Sequence, residues 1–442
     1  MRFLRGLVTL AITVCVALLL VAIAGYGSSR SVADQRDRKA PAKVFQPFGW
    51  QQTVENSPPG PATVLVSGDG WGMRGVTYRA KVAVVGGTGV YRTQRYRTDV
   101  EAGEDVLLSP DGTLIADGFP RPVPRASGST APASTGNSDP AIWFTDLESG
   151  KTSRMTVPAT GTARPVAFSP NGRKILVQVA SPPEHGPWNG GELDLMDLAT
   201  GEVARLADLG TAPVHRAQLA AFSPDGRRVA VQIGDSIHVI DVQARSSRLL
   251  ARVGPDRRIA GVGAWSSDGN RIAVATMSGC SKRCTSDDLD DRTWQIDELD
   301  AETGAPSTGS FDRLTGSAVR VLGQTDDGEL VVVRYRASGD AGIDGTGEFT
   351  VDGDEADETD YRAVHEAELL GLSPSGKRRT LLTLPPGSRH VDVAGQLIVE
   401  DRFGGDSSRP MPWPAPFWVN LGAIVVLLIV AWGVFRIRRL TR

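Results

Sequence analysis

The sequence predicts an all-β fold assembled from a repeated four-strand unit, and three observations carry that expectation. A turn of the Ser-Pro-Asp-Gly type recurs along the middle of the chain. A second turn, mostly Asp-x-x-x-Gly, follows each copy, and short runs rich in Val, Ile, Leu and Ala separate the turns. The 28 Pro and 50 Gly residues fall at turn-like spacing, which suits many short strands better than helices.

The stretch from Ala220 to Ala251 shows one whole unit. In Ser223-Pro224-Asp225-Gly226 the proline presets one φ, the aspartate can bond back to the backbone, and the glycine can take a positive φ. Arg228 to Ile233 alternates as a half-buried strand does, and Gly234-Asp235 is a two-residue reversal. Ser236 to Val242 and Ser247 to Val253 are the third and fourth strands.

The same register runs through the chain. First turns end at Gly112, Gly172, Gly226, Gly269 and Gly328. Second turns span Asp146 to Gly150, Asp197 to Gly201, Asp241 to Arg245, Asp300 to Gly304 and Leu372 to Gly376. Ahead of them, Ala62 to Val66, Val76 to Val85 and Val90 to Arg95 read as strands, with Gly86-Gly87-Thr88-Gly89 as a hairpin turn. Behind them, His390 to Glu400 reads as a first hairpin without its second. Four strands per unit and a period that shortens to roughly 40–45 residues are the signature of a β-propeller. Ring closure then removes most strand edges. The count is six units plus a leftover hairpin. Closing the leftover with a strand from the N-terminal stretch gives seven four-stranded blades; six is the alternative.

The two ends predict terminal transmembrane helices. Arg2 and Arg5 precede an apolar run from Leu7 to Ala24, and Ala22-Ile23-Ala24 has the small-x-small form of a cleavage site. Residues 1–26 are therefore a signal peptide or an N-terminal anchor, and either exports the chain behind it. Phe417 to Phe435 is almost entirely apolar and would rise roughly 28 Å as a helix, about one hydrocarbon thickness. Trp413 and Trp418 stand at its start, and Arg436, Arg438, Arg439 and Arg442 follow it, which reads as a cytoplasmic tail over 436–442. Between the ends the expected parts are a stalk over 27–60 with an edge strand near Val44 to Phe48, a propeller over 61–401 and a Pro-rich linker over 402–416. These boundaries place the propeller outside the cytoplasm at the cell membrane.

At 442 residues and a net charge of −3, no global field recruits nucleic acid. Cys15 sits in the first apolar run after Val14 and is expected to be inert. Cys280 and Cys284 flank Ser281-Lys282-Arg283, and outside the cytoplasm a small-loop disulfide is favoured over free thiols. No second Cys/His pair has metal-ligand spacing.

Extra residues gather at one junction, between the second and third strands: Phe119 to Pro140, Ser181 to Gly191, Ser278 to Arg292 and Ala337 to Asp360. In an antiparallel blade that junction lies at the opposite end from both tight turns, so the insertions share one face, where binding is expected. His185 and Trp188 are the candidate binding residues there, together with the Cys280–Cys284 loop. Phe119 to Pro140, rich in Pro, Ser and Ala, reads as padding. The acidic stretch Asp340 to Asp360 reads as a solvated loop, with calcium the alternative; its spacing is not that of an EF-hand, and Asp287, Asp288, Asp290 and Asp291 read likewise.

No Gly-x-Ser-x-Gly elbow and no phosphate-binding loop occurs, and the five histidines show no ligand spacing. No catalytic, cofactor-binding or metal residue is expected, and no cofactor.

Phe222-Ser223-Pro224-Asp225-Gly226-Arg227 and Asp197-Leu198-Ala199-Thr200-Gly201 resemble the WD-repeat-like blades of TolB-type propellers and of the propeller domain in prolyl-oligopeptidase-type peptidases. The resemblance covers roughly Leu107 to Glu400. It implies a propeller fold and an extracytoplasmic scaffold that binds other proteins. That family's separate N-terminal domain has no room here, and a C-terminal span is not part of its pattern. The resemblance therefore points to a membrane-tethered, TolB-like propeller. The expected function is a non-enzymatic protein-binding or scaffolding module of the bacterial cell envelope. The alternative is a propeller receptor or hydrolase-like enzyme that holds a sugar or peptide in the central channel.

Overall fold

The computed structural model describes residues 38–48, 51–68, 81–94, 106–118, 140–180, 189–213, 216–281, 284–337 and 364–410, with Gly422, Leu427, Trp432 and Gly433 beyond them. One compact unit runs from Arg38 to Pro410, and residues 1–37 and 411–442 form another.

Blade 1 holds β1 (Ala62–Gly68), β2 (Lys81–Gly86) and β3 (Tyr91–Gln94). Blade 2 is β4 (Val106–Leu108), β5 (Leu114–Asp117), β6 (Ala141–Asp146) and β7 (Thr152–Thr156). Blade 3 is β8 (Thr162–Phe168), β9 (Lys174–Ala180), β10 (Asn189–Asp197) and β11 (Val203–Pro213). Blade 4 is β12 (Ala220–Phe222), β13 (Arg228–Ile233), β14 (Ser236–Asp241) and β15 (Ser247–Arg252). Blade 5 is β16 (Arg257–Ile259), β17 (Arg271–Ser278), β18 (Thr293–Asp300) and β19 (Pro306–Ser310), with β20 (Leu314–Thr315) also paired to β18. Blade 6 is β21 (Ala318–Gln324), β22 (Leu330–Ala337), β23 (Val364–Leu372) and β24 (Arg378–Leu382). The last strand, β25 (Ser388–Val393), pairs antiparallel with β1 and completes blade 1 from the inside.

The ring therefore has six blades, and the expectation of seven is corrected. The expected hairpin after blade 6 is instead the single strand β25. Behind it the chain turns into a short helix, Gly395–Val399, that ends at Asp401 with φ 49°. One leftover strand fills the one vacant inner position, because blade 1 brings only three strands from the N-terminal side.

Local chemistry explains the turns. In the first turns the Ser109, Ser223 and Ser266 hydroxyls donate to Asp111, Asp225 and Asp268 at 2.5–2.6 Å. Each also accepts the N–H of the residue five places on, at 2.9 Å. Asn171 serves in blade 3, and Thr325 with Asp327 in blade 6. In the second turns one carboxylate oxygen of Asp146, Asp197, Asp241 or Asp300 accepts two successive backbone N–H groups. Gly150, Gly201 and Gly304 take positive φ there; in blade 4 Arg245 occupies the same place at φ 52°.

Packing lies between blades. β1 is buried along its whole length, whereas the outer β7 and β15 are largely exposed. Blades 5 and 6 touch backbone to backbone: Val321 N–H donates to the Ala260 carbonyl at 2.8 Å, and Gly263 N–H to the Val321 carbonyl at 3.1 Å. A Cβ on Gly263 would lie 2.1 Å from the Leu322 carbonyl carbon, so only glycine fits.

Parts of the expected stalk and linker pack on the disc. Ala40 N–H donates to the Arg402 carbonyl at 2.8 Å and Gly405 N–H to the Ala40 carbonyl at 2.9 Å. Near Val44 there is one isolated bridge, Lys43 to Thr383, in place of an edge strand. Both apolar terminal runs lie outside the described residues, apart from Gly422, Leu427, Trp432 and Gly433, which are helical. Among the described residues no helix is long and apolar enough to cross a membrane.

Candidate functional site

Chain alternation puts all first and second turns on one face of the disc. The junctions between second and third strands, and the connections between blades, lie on the other. Of the four expected insertions, the one in blade 5 is described almost throughout, and it is a built structure.

It leaves β17 through Gly279 and reaches Cys280, which is disulfide-bonded to Cys284 across a Cα separation of 5.8 Å. Thr285 then caps a one-turn helix, α1 (Ser286–Asp290), in a reciprocal box: Asp288 N–H donates to the Thr285 hydroxyl at 3.2 Å, and Thr285 N–H to the Asp288 carboxylate at 2.8 Å. The Thr285 N–H and hydroxyl, both donating to it, hold the Asp288 carboxyl below its ordinary range. Arg292 is buried beneath the loop. Its guanidinium donates to the Cys280 carbonyl at 2.7 Å and to the Ser317 carbonyl at 3.3 Å. Trp294, also buried, donates to the Gly316 carbonyl at 2.9 Å.

The loop reaches the next blade. Cys284 and Leu289 pack on Ala337, the last residue of β22, and Ala337 N–H donates to Asp290 at 2.6 Å. Burial raises the Asp290 carboxyl, while the Ala337 N–H and Arg336 pull it back. Blades 5 and 6 are thus bridged at the point where the blade 6 insertion begins. Among the described residues no cluster of His, Cys, Asp or Glu could hold a metal ion. Asp288 serves in the cap of α1, and Asp290 accepts the Ala337 N–H. All of Asp340 to Asp360, and His185 and Trp188, lie outside the described residues.

The central channel is the second place a ligand would sit, and side chains tie the inner strands of its wall together. Gln218, just ahead of β12 in blade 4, donates to the Val319 carbonyl of blade 6 at 2.8 Å. Arg320 on β21 donates to the Val391 carbonyl of β25 at 2.8 Å. Asp392 accepts the Leu108 N–H of blade 2 at 2.9 Å. Gln218 and Arg320 are each 1% exposed and His390 is wholly buried. Burial raises the Asp392 carboxyl, and Arg320 and two backbone N–H groups oppose that rise. Burial, and then Arg320, keep His390 neutral well below its ordinary range, with the Val106 backbone its one opposing contact. Neither ring nitrogen of His390 makes a hydrogen bond of ordinary geometry.

None of Gln218, Arg320, Arg292 or Asp392 was singled out by sequence reasoning. For Arg320 on β21 and Asp392 on β25 the available signal is a charged residue between two valines on an inner strand; Gln218 and Arg292 lie off the strands and carry no such signal.

No protein-family model matches the chain, and comparison of its sequence with curated proteins finds no match. Among solved structures it is similar to the putative TolB from Agrobacterium tumefaciens, at 15% identity over 53% of this chain and 74% of that one, with a TM-score of 0.35. The Cps50 (Swd1) β-propeller domain of Myceliophteria thermophila aligns at 16% identity over 56% and 70%, with a TM-score of 0.34. An oligogalacturonate lyase in complex with manganese aligns at 15% identity over 55% of this chain and 59% of that one, with a TM-score of 0.34. At TM-scores this low the likenesses carry no argument about function. The fold rests on the six sheets themselves.

Proposed function

We propose that this chain is a membrane-tethered, extracytoplasmic β-propeller that acts as a non-enzymatic protein-binding or scaffolding module of the bacterial cell envelope. One observation carries the reading: the blade 5 insertion is an ordered, disulfide-clamped platform fixed to blade 6 on the insertion-bearing face. A loop that served only as spacing would need neither the clamp nor the buried Arg292 beneath it. The disulfide also suits an oxidising compartment. The membrane part rests on the apolar run from Phe417 to Phe435 with its arginine tail.

The test is in-cell crosslinking followed by affinity purification and mass spectrometry. The intact chain is compared with a variant whose residues 338–363 are replaced by a two-residue turn, and with a Cys280→Ser, Cys284→Ser variant. A protein captured by the intact chain and lost from both variants supports the scaffold reading. A captured protein unaffected by either moves the site off this face.

The second reading, a sugar or peptide receptor or hydrolase-like enzyme working in the channel, has Arg320, His390 and Asp392 as its residues. No captured protein, together with a small ligand whose binding is lost in Arg320→Met, would favour it. The weight against it is that Gln218 and Arg320 are buried and already hydrogen-bonded to the inner strands of blades 6 and 1.

A further inference from the structure

The two ends of the propeller leave from one place. At the N-terminal end Arg38 donates to the Asp111 carbonyl, in the first turn of blade 2, at 3.1 Å. Its side chain also covers Gly87, in the hairpin turn of blade 1; a Cβ there would lie 2.6 Å from the Arg38 Cδ. At the C-terminal end Ser408 covers Gly89 of that same turn; a Cβ there would lie 2.4 Å from its hydroxyl. The two segments are bonded to each other as well: Lys43 N–H donates to the Ser407 hydroxyl at 2.8 Å, and Ala42 N–H to the Gly405 carbonyl at 3.0 Å. Both exits are therefore on the tight-turn face, at blade 1.

We propose that the tight-turn face around blade 1 is the membrane-facing surface, and that the insertion-bearing face points away from the bilayer. This rests on the reading of Phe417 to Phe435 as a membrane span. The reach of the chain argues it. Seven peptide steps separate Pro410 from Phe417, and they cover at most roughly 25 Å however they are arranged. The seven residues of β1 alone rise roughly 23 Å from one face to the other. A tether that short cannot climb blade 1 and also clear the loops on the far face. It reaches the bilayer only if the face it leaves from is the near one.

Lys39, Lys43 and Arg409 are exposed on the paired segments, but Asp406, Glu400 and Glu148 are exposed there too, with Glu400 engaged by Arg402 and Asp401 by Arg379. Charge on this surface is mixed, and the placement rests on the reach of the chain.

Energy transfer to lipid tests the orientation. A fluorescent amino acid is placed at Gln243 on the tight-turn face of blade 4, or at Asp235 on its insertion-bearing face. The full chain is reconstituted in vesicles of equal phosphatidylcholine and phosphatidylglycerol that carry a headgroup-labelled acceptor in the outer leaflet. Only chains whose propeller is outside the vesicle, selected by protease accessibility, are read. The expected result is several-fold stronger transfer from position 243 than from position 235. Equal transfer, or the reverse order, in chains that float with the vesicles overturns the orientation alone. Failure to float with the vesicles overturns the membrane reading, and the orientation with it.

Discussion

His390 makes the propeller sensitive to acid, and the effect can be worked from the structure. The side chain is wholly buried on the ring-closing strand, beside Arg320, and both features disfavour its charged form. The unfolded chain takes up a proton at this histidine near pH ~6.5, and the folded chain does not until well below that. The unfolded state thus binds more protons in this window, so stability falls as pH falls. Between about pH 7.5 and about pH 5.5 the loss from one such histidine is about 1.4 kcal/mol, with a limiting slope of about 1.4 kcal/mol per unit. Asp392 acts in the opposite sense, because its carboxyl is raised and the folded state takes up its proton first. His238 adds a smaller share of the same sign as His390, its pKa being lowered by partial burial. A His390→Gln variant separates these contributions, since it keeps Asp392 and His238. Urea denaturation followed by tryptophan fluorescence, at three pH values across the window, should show the variant losing about 1.4 kcal/mol less than the parent. Identical pH dependence in the two proteins would refute the claim that buried His390 stays neutral.

Three further outcomes are expected. Arg245→Gly should raise stability by about 1 kcal/mol in the same assay, because a non-glycine residue at φ 52° bears the left-handed penalty that glycine avoids. Asp225→Ala should cost about 1–2 kcal/mol by removing the acceptor of the Ser223 hydroxyl and the Arg227 N–H, whereas Asp235→Ala, whose carbonyl alone bonds to Val253, should be near neutral. The Cys280→Ser, Cys284→Ser double variant should lose about 2 kcal/mol on the chain-entropy account of so small a loop, and protease digestion should show cleavage near Lys282 before any cut in the blades.

The turns were legible because their information is local. Ser223, Asp225 and Gly226 satisfy one another within a few residues, and the same triplet does so wherever it recurs. The second turn of blade 6, Leu372 to Gly376, was readable for the same reason, from the strands on either side of it. Closure of the C-terminal leftover onto the N-terminal stretch was legible, but not its form: β25 pairs with β1 across more than three hundred residues of sequence and completes blade 1, where a seventh blade was expected. Reading His390 to Glu400 as a hairpin failed where Gly395–Val399 coils into a helix tied to blade 2 by the Gln396 N–H on the Pro110 carbonyl. The candidate site was half readable. Cysteine spacing and loop placement pointed to the blade 5 insertion. Its anchoring did not show, because Asp290 finds its partner at the end of β22 in blade 6 and Arg292 bonds Ser317 between the blades as well as Cys280 above it. Arg320 and Gln218 were hidden for a related reason: their bonds join inner strands of different blades, which meet only once the ring is assembled.

Closing blade 1 with its last-made strand also sets a schedule for biosynthesis. The inner edge of β1, Ala62–Gly68, is complete early, yet its hydrogen-bonding partner Ser388–Val393 is about 320 residues further along. At ordinary elongation rates that interval is roughly 20–60 s, during which a strand that ends up buried along its whole length has no mate. Such an edge is a template for pairing with other chains. The nascent protein therefore needs either a holding partner or a passage that keeps it unpaired until its final strand arrives, and a chain truncated before Ser388 would carry that open edge permanently.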